Sequence, residues 1–260
     1  MSTGPTDDVK DLAARGFAMA AAVYDKGRPG YPEPAVAWLA ARLRLGPGAH
    51  VVDLGAGTGK LTDALVGLSA RVTAVEPVAQ MRAVLSRRLP LVQVLTGSAE
   101  TLPLDDGSVD AVTAAQCFHW FDGPRALASI HRVLRPGGRL GLVWNARDER
   151  VEWVARVTEI IDRVNTEAPR YRSGEWRVAF LGTTLFSPLV TTSFLHEQRA
   201  SVETVVARYA SVSFIAALDT AERVAVLDEV RSLLATHPET RGKTELVLPY
   251  RTDVFACERQ

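Results

Sequence analysis

Val51-Val-Asp-Leu-Gly-Ala-Gly-Thr-Gly-Lys-Leu-Thr62 is the stretch that decides the fold. An apolar run carrying one carboxylate, Asp53, passes into three alternating glycines and then into residues suited to a helix. Glycine accepts positive φ and leaves backbone amides open to a ligand that a Cβ would shield. Gly55, Ala56, Gly57, Thr58 and Gly59 therefore read as a turn at the carboxyl end of a strand, the edge where an open α/β sheet binds a nucleotide-like group. The spacing is G-x-G-x-G, whereas G-x-G-x-x-G packs a pyrophosphate on a helix N-terminus. Asp53 argues further against a phosphate and suits an ammonium or a sulfonium. A tight turn with no ligand is the plain alternative.

The next apolar run, Arg71-Val-Thr-Ala-Val-Glu-Pro77, ends in an acid. Glu76 lies twenty-one positions beyond Gly55, where the end of a second strand reads ribose hydroxyls. Pro77 reads as the first residue of a helix, so Glu76 can also serve as a helix-start charge.

Taken with Gly97-Ser-Ala-Glu-Thr-Leu-Pro103, Asp110-Ala-Val-Thr-Ala-Ala-Gln-Cys-Phe-His-Trp-Phe-Asp122 and Arg135-Pro-Gly-Gly-Arg-Leu140, these motifs make the chain resemble the class I S-adenosylmethionine-dependent methyltransferases. The resemblance covers roughly residues 18 to 146 and, more weakly, the C-terminal strands. It implies an α/β, doubly wound Rossmann-like sheet, mostly parallel with a last antiparallel strand, plus helical cap and lid elements. It implies S-adenosyl-L-methionine as cofactor and no metal. The loop of Ala99 and Glu100 is expected along the adenine. Ser98 stands where the family often has an aspartate, which shifts the adenine contact to Glu100 or to backbone. Pro77 and Met81 are expected beside the adenine or ribose, Met81 equally as core filler.

Thirty basic and thirty acidic residues leave no net charge, which argues against a nucleic-acid partner. Cys117 and Cys257 belong to no metal-binding spacing. No leader pattern opens the chain and no run approaches the roughly 18 apolar residues that span a bilayer, so a cytoplasmic protein, monomer or homodimer, is expected. Helical periodicity appears at 34–45, 151–166 and 221–235, with helix starts near Thr58, Pro77 and Pro124. Strands are expected at 50–54, 71–76, 91–95, 109–115, 139–144, 186–200 and 244–257. Pro249 in the last implies a bulge or an edge. The expected organisation is a lid over 1–32, a cofactor-binding core over 33–146, and a helical substrate cap over 147–260 that includes the last two strands.

The segment from Phe17 to Pro32 resembles, in its Arg28-Pro-Gly-Tyr31-Pro32 element, the lid of trans-aconitate methyltransferase-like enzymes. That likeness implies that Tyr24 and Arg28 close over the methionine end of the cofactor, with Arg28 on its carboxylate. Arg28 as a surface ion-pair partner and Tyr24 as packing are the alternatives. Gln116-Cys-Phe-His-Trp120 follows the fourth strand at the ligand edge. Gln116 and Phe118 are assigned to the cofactor; Tyr31, His119, Trp120 and Trp144 to the substrate. His119, with an ordinary pKa near 6.5, can act as base or can position the acceptor. The expected reaction is in-line methyl transfer to a small organic acceptor, with O-methylation of a carboxylate or hydroxyl favoured. A lipid or quinone precursor, a non-catalytic cofactor-binding protein, and a nicotinamide-dependent oxidoreductase are the competing readings.

Overall fold

The computed structural model describes residues 28–68, 70–164 and 168–260. Tyr24 and most of the expected lid lie outside them. In chain order the elements are Glu33–Leu43 (α1), His50–Leu54 (β1), Lys60–Val66 (α2), Arg71–Val75 (β2), Ala79–Arg88 (α3), Gln93–Leu95 (β3) and Val109–Ala115 (β4). They continue with Gly123–Val133 (α4), Leu134–Arg147 (β5), Glu152–Asp162 (α5), Val190–Ser201 (β6), Val202–Ala210 (α6), Ser213–Ala216 (α7), Thr220–Thr236 (α8) and Glu245–Glu258 (β7). The seven strands form one sheet in the order β3-β2-β1-β4-β5-β7-β6. β1 through β5 are parallel, and β7 runs antiparallel to both β5 and β6. This is the mixed, helix-flanked sheet that the family resemblance implied.

The strands that are buried on both faces read as near-continuous apolar runs, as a covered parallel sheet requires. Val51, Val52, Leu54, Val112 and Ala114 are at most 1% exposed. α1 lays Ala35, Leu39 and Leu43 onto one face. Gly141 in β5 makes that contact possible, because a Cβ there would sit 2.6 Å from Leu39 Cδ1. α4 covers the other face with Leu127, Ile130 and Val133, capped by the Asp122 side chain accepting from Arg125 N.

Three points are sharpened at this level. β5 is longer than the expected strand, because Leu134 already pairs with Val109 before Arg135–Gly138 loops out and Arg139 resumes the ladder opposite Ala111. Pro249 sits at a local edge and not at a bulge: β7 lies between β5 and β6 with unbroken register to β6, but its pairing with β5 ends at Tyr250. Its carbonyl accepts from Asp148 N on the β5 side, one residue past the last β5 pair at Tyr250, so the missing N–H falls where that ladder has ended. The helix α6 is an addition; Val202, Val205, Val206 and Tyr209 carry its period, and the Ser201 hydroxyl accepts from Thr204 N to start it.

Beyond Tyr250, β7 and β6 continue as a two-stranded ribbon, Glu245–Pro249 against Glu197–Ser201. Leu246, Leu248 and Tyr250 on this ribbon join Trp153, Val157 and Ile161 of α5, Val205 and Tyr209 of α6, and Val230 and Leu234 of α8 in a separate apolar cluster. Among the described residues no helix is long and apolar enough to cross a membrane.

Candidate active site

The glycine turn takes the conformation its sequence demands. Gly55, Gly57 and Gly59 have φ of 65°, 57° and 87°, the left-handed region that other residues enter only with strain. At Gly55 space is short as well, since a Cβ would lie 2.8 Å from Cys117 Sγ. At Gly57 a Cβ would meet no atom of the described residues within 4 Å beyond its chain neighbours. The need for glycine there comes from backbone conformation and from ligand approach, not from packing. α2 begins at Lys60 rather than Thr58, because the left-handed Gly59 stands just before it as its N-cap.

Two carboxylates converge on this turn. Asp53 is 1% exposed and accepts from Thr62 Oγ1 at 2.6 Å and from Thr113 Oγ1 at 3.1 Å. Burial pushes its pKa up to about 6, with the two hydroxyls opposing that shift and Glu76 adding to it. Glu76 accepts from Gly57 N at 2.9 Å through one oxygen and from Val78 N at 2.8 Å through the other. Burial raises its pKa, and those same amides resist the rise. Each carboxylate oxygen has two lone pairs, so Glu76 retains acceptor capacity for ribose hydroxyls.

A cleft enclosing about 500 Å³ opens beside Asp53, Gly55, Ala56, Gly57 and Thr58, with Arg28, Tyr31 and Gln116 across from them. Arg28 Nη2 donates to Ser211 O at 3.3 Å, which ties the Arg28-Pro-Gly-Tyr31-Pro32 segment to the end of α6. Asn145 Nδ2 donates to Gly30 O at 2.9 Å and ties it to β5. Gln116 adopts φ 62°, a strained value for a non-glycine residue, and lines both this cleft and a second pocket. The second pocket encloses about 920 Å³ and adds His119, Trp120, Tyr171 and Phe214.

His119 stands on a short 3-10 turn, Phe118–Trp120, at the end of β4. Its Nδ1 accepts from Trp144 Nε1 at 3.2 Å. That bond places the proton of a neutral ring on Nε2. Desolvation, followed by the Arg28 charge, pulls its pKa down to about 3.

Several expected site residues are placed differently. Trp144 is 1% exposed, stacked on Tyr171 at 4.6 Å and against Trp176, so it supports His119 from beneath and presents no surface to a substrate. Phe118 is likewise core, packed edge-on to Phe121 and Trp176. Met81 and Ala99 are buried. Glu100 uses one oxygen to accept from Asp122 N at 3.0 Å, and the Ser98 hydroxyl pairs with Thr101 Oγ1 at 3.2 Å. These bonds order the loop before α4. Pro77 precedes α3 with its carbonyl accepting from Arg82 Nη1. Residues that the sequence reading passed over are Asn145, Arg147 and Arg208. The first two follow Trp144 at the carboxyl end of β5, the edge where ligands gather, and that position was their available signal.

Comparison with known proteins agrees with this geometry. Residues 52–142 match the family described as "Methyltransferase domain". An uncharacterized methyltransferase of Mycobacterium tuberculosis is 44% identical over 247 residues, 91% of this chain and 92% of that protein. An uncharacterized methyltransferase-like protein of Schizosaccharomyces pombe is 35% identical over 238 residues, 91% of this chain and 93% of its own. Among solved structures, a candidate type II methyltransferase from Anaeromyxobacter dehalogenans superposes with a TM-score of 0.67 at 26% identity, covering 89% of this chain and 97% of the other. The chain belongs to the class I S-adenosylmethionine-dependent methyltransferases.

Proposed function

We propose that the protein methylates an oxygen of a small organic acceptor in the manner of the trans-aconitate methyltransferase-like branch. The observation that carries this reading is the pair of joined pockets, one at the glycine turn and one at His119, which share Arg28, Gln116, Asn145 and Arg208 as their common wall. S-adenosylmethionine, when bound, supplies an electrophilic methyl group on a sulfonium. The chemistry of the donor set fits it: Glu76 for ribose hydroxyls, the Gly57 turn for close backbone approach, Asp53 for the positively charged end, and Arg28 for the carboxylate. Ser98, Ala99 and Glu100 supply the loop beside the adenine.

His119 works in this reading as a hydrogen-bond donor through Nε2 and holds the acceptor at the common wall. Trp144 fixes the tautomer that makes Nε2 the donor. A ring held neutral down to about pH 3 is a poor base, and a carboxylate acceptor requires none. Trp120 flanks the acceptor and excludes water from the outer pocket, while Tyr31 lines the adjoining glycine-turn cleft. Orientation of this kind supplies much of the acceleration in methyl transfer. The test is calorimetry with S-adenosylmethionine, S-adenosylhomocysteine and NAD, followed by a screen of small carboxylic acids for methyl ester formation. Binding of NAD alone would overturn the reading.

A further inference from the structure

The outer pocket carries a charge imbalance that methyl transfer alone does not require. Five arginines line it, Arg28, Arg147, Arg170, Arg172 and Arg208, against two carboxylates, Glu149 and Asp162. Both carboxylates are already engaged. Asp162 pairs with Arg170 at 2.7 Å and with Arg172, and Glu149 lies 3.5 Å from Arg172. Arg28 is held by Ser211 O.

Arg147 and Arg208 are different. Among the described residues neither forms an ion pair. Nε of Arg147, and both Nε and Nη1 of Arg208, are buried without a hydrogen-bond partner. Arg208 is 6% exposed, and Arg147 lies over the Tyr209 ring at 5.1 Å. Burial pulls the Arg147 pKa down, with the Tyr209 hydroxyl opposing and the neighbouring Arg208 charge adding to the fall. A guanidinium stays charged in a protein, so the fold keeps two desolvated cations in one pocket, neither of them ion-paired among the described residues. Such a pair is unfavourable until an oxyanion completes it, and forked guanidinium donors match carboxylate and phosphate geometry.

We infer that Arg147 and Arg208 form an oxyanion subsite for the methyl acceptor, which therefore carries a carboxylate or phosphate group separate from the atom that is methylated. The inference rests on the methyl-transfer reading. The anchored group is a separate one because an oxygen neutralised by two guanidiniums is a weak nucleophile. The acceptor is assigned, rather than the cofactor, because Arg147 lines the outer pocket but not the glycine-turn cleft. α6 supplies both neighbours of Arg147: Tyr209, the flat floor on which the Arg147 fork lies, and Arg208, the second guanidinium.

The test is calorimetry on the full chain. S-adenosylhomocysteine is titrated first. Succinate, citrate and inorganic phosphate are then titrated into the saturated protein at constant ionic strength, with chloride as reference. At least one of these anions should bind more tightly than chloride, and the carboxylate and phosphate arms identify which geometry the pair prefers. Arg147→Met should weaken that binding about tenfold or more and leave S-adenosylhomocysteine affinity within about twofold. Arg147→Lys, which keeps the charge and loses the fork, should fall between. Arg208→Met should lose the anion yet melt no lower than wild type without ligand, because it removes an unpartnered buried cation.

Three results overturn the inference. They are no anion bound by the loaded protein, equal anion affinity in Arg147→Met, or a loss of S-adenosylhomocysteine affinity in Arg147→Met, which would give the pair to the cofactor. Failure of wild type to bind S-adenosylhomocysteine at all is a separate outcome and overturns the methyl-transfer reading itself.

Discussion

Replacing His119 by alanine and, separately, by glutamine distinguishes a donor from a base. The Trp144 indole occupies Nδ1 at 3.2 Å, which leaves Nε2–H as the group facing the acceptor. Lowering the pKa from 6.5 to about 3 removes on the order of 5 kcal/mol of proton affinity. Glutamine presents an N–H at similar reach and cannot serve as a base. If His119 donates, alanine removes one hydrogen bond worth about 1 to 1.5 kcal/mol, roughly tenfold in rate, and glutamine restores most of it. If His119 is a base, both variants lose about a hundredfold or more. The assay is initial-rate formation of S-adenosylhomocysteine with an acceptor found in the carboxylic acid screen, measured from pH 5 to 9. Wild type should show no inflection at pH 6 to 7, and calorimetric S-adenosylhomocysteine affinity should stay within about twofold in both variants. A hundredfold loss in the glutamine variant, together with a wild-type acid limb that vanishes on substitution, would refute the reasoning.

Other outcomes follow from the same geometry. Gly55→Ala combines left-handed strain of about 1 to 2 kcal/mol with a 2.8 Å contact to Cys117 Sγ costing about 1 to 3. Urea unfolding should show this loss, and adding Cys117→Ala should recover about 1 kcal/mol of it; strict additivity would count against the contact. A Cβ at position 57 would strike no atom of the described residues, so Gly57→Val should fold yet lose S-adenosylhomocysteine binding, and retained affinity would misplace the cleft. Glu76→Ala should weaken that binding by about 1 to 3 kcal/mol, and wild-type affinity by calorimetry would exclude a ribose role. Asp53, with its folded pKa raised to about 6, binds its proton more readily in the folded chain than in the unfolded one. Its contribution to stability is therefore present at low pH and lost as pH rises through about 6. Against Asp53→Asn, wild type should gain on the order of 3 kcal/mol between pH 8 and pH 4, and a pH-independent difference would sink the argument.

The cofactor half was legible because backbone geometry and residue type coincide there. Three alternating glycines at positive φ, one acid before the turn and one at the end of the next strand leave few alternatives, and all occupy the expected places. The acceptor half was less legible. Arg208 sits in a helix whose apolar period is carried by Val202, Val205, Val206 and Tyr209, and nothing in its local sequence says that the polar face looks inward. Trp144 and Phe118 read as aromatic walls beside a ligand edge, yet their burial depends on Tyr171, Trp176 and Phe180 arriving from a distant, irregular stretch. Long-range packing of that kind leaves no periodic trace. Pro249 showed the reverse case, where a local rule held but a neighbouring strand's end, invisible in sequence, satisfied it.

The ribbon of Glu245–Pro249 and Glu197–Ser201 acts as a cantilever, built into the sheet at one end and loaded with helices at the other. Its apolar cluster shares no buried residue with the clusters that hold the glycine turn. The beam still reaches the glycine-turn cleft through α6, which brings Arg208 to the cleft wall and Ser211 O to Arg28, so a change in the helices it carries is felt at both pockets.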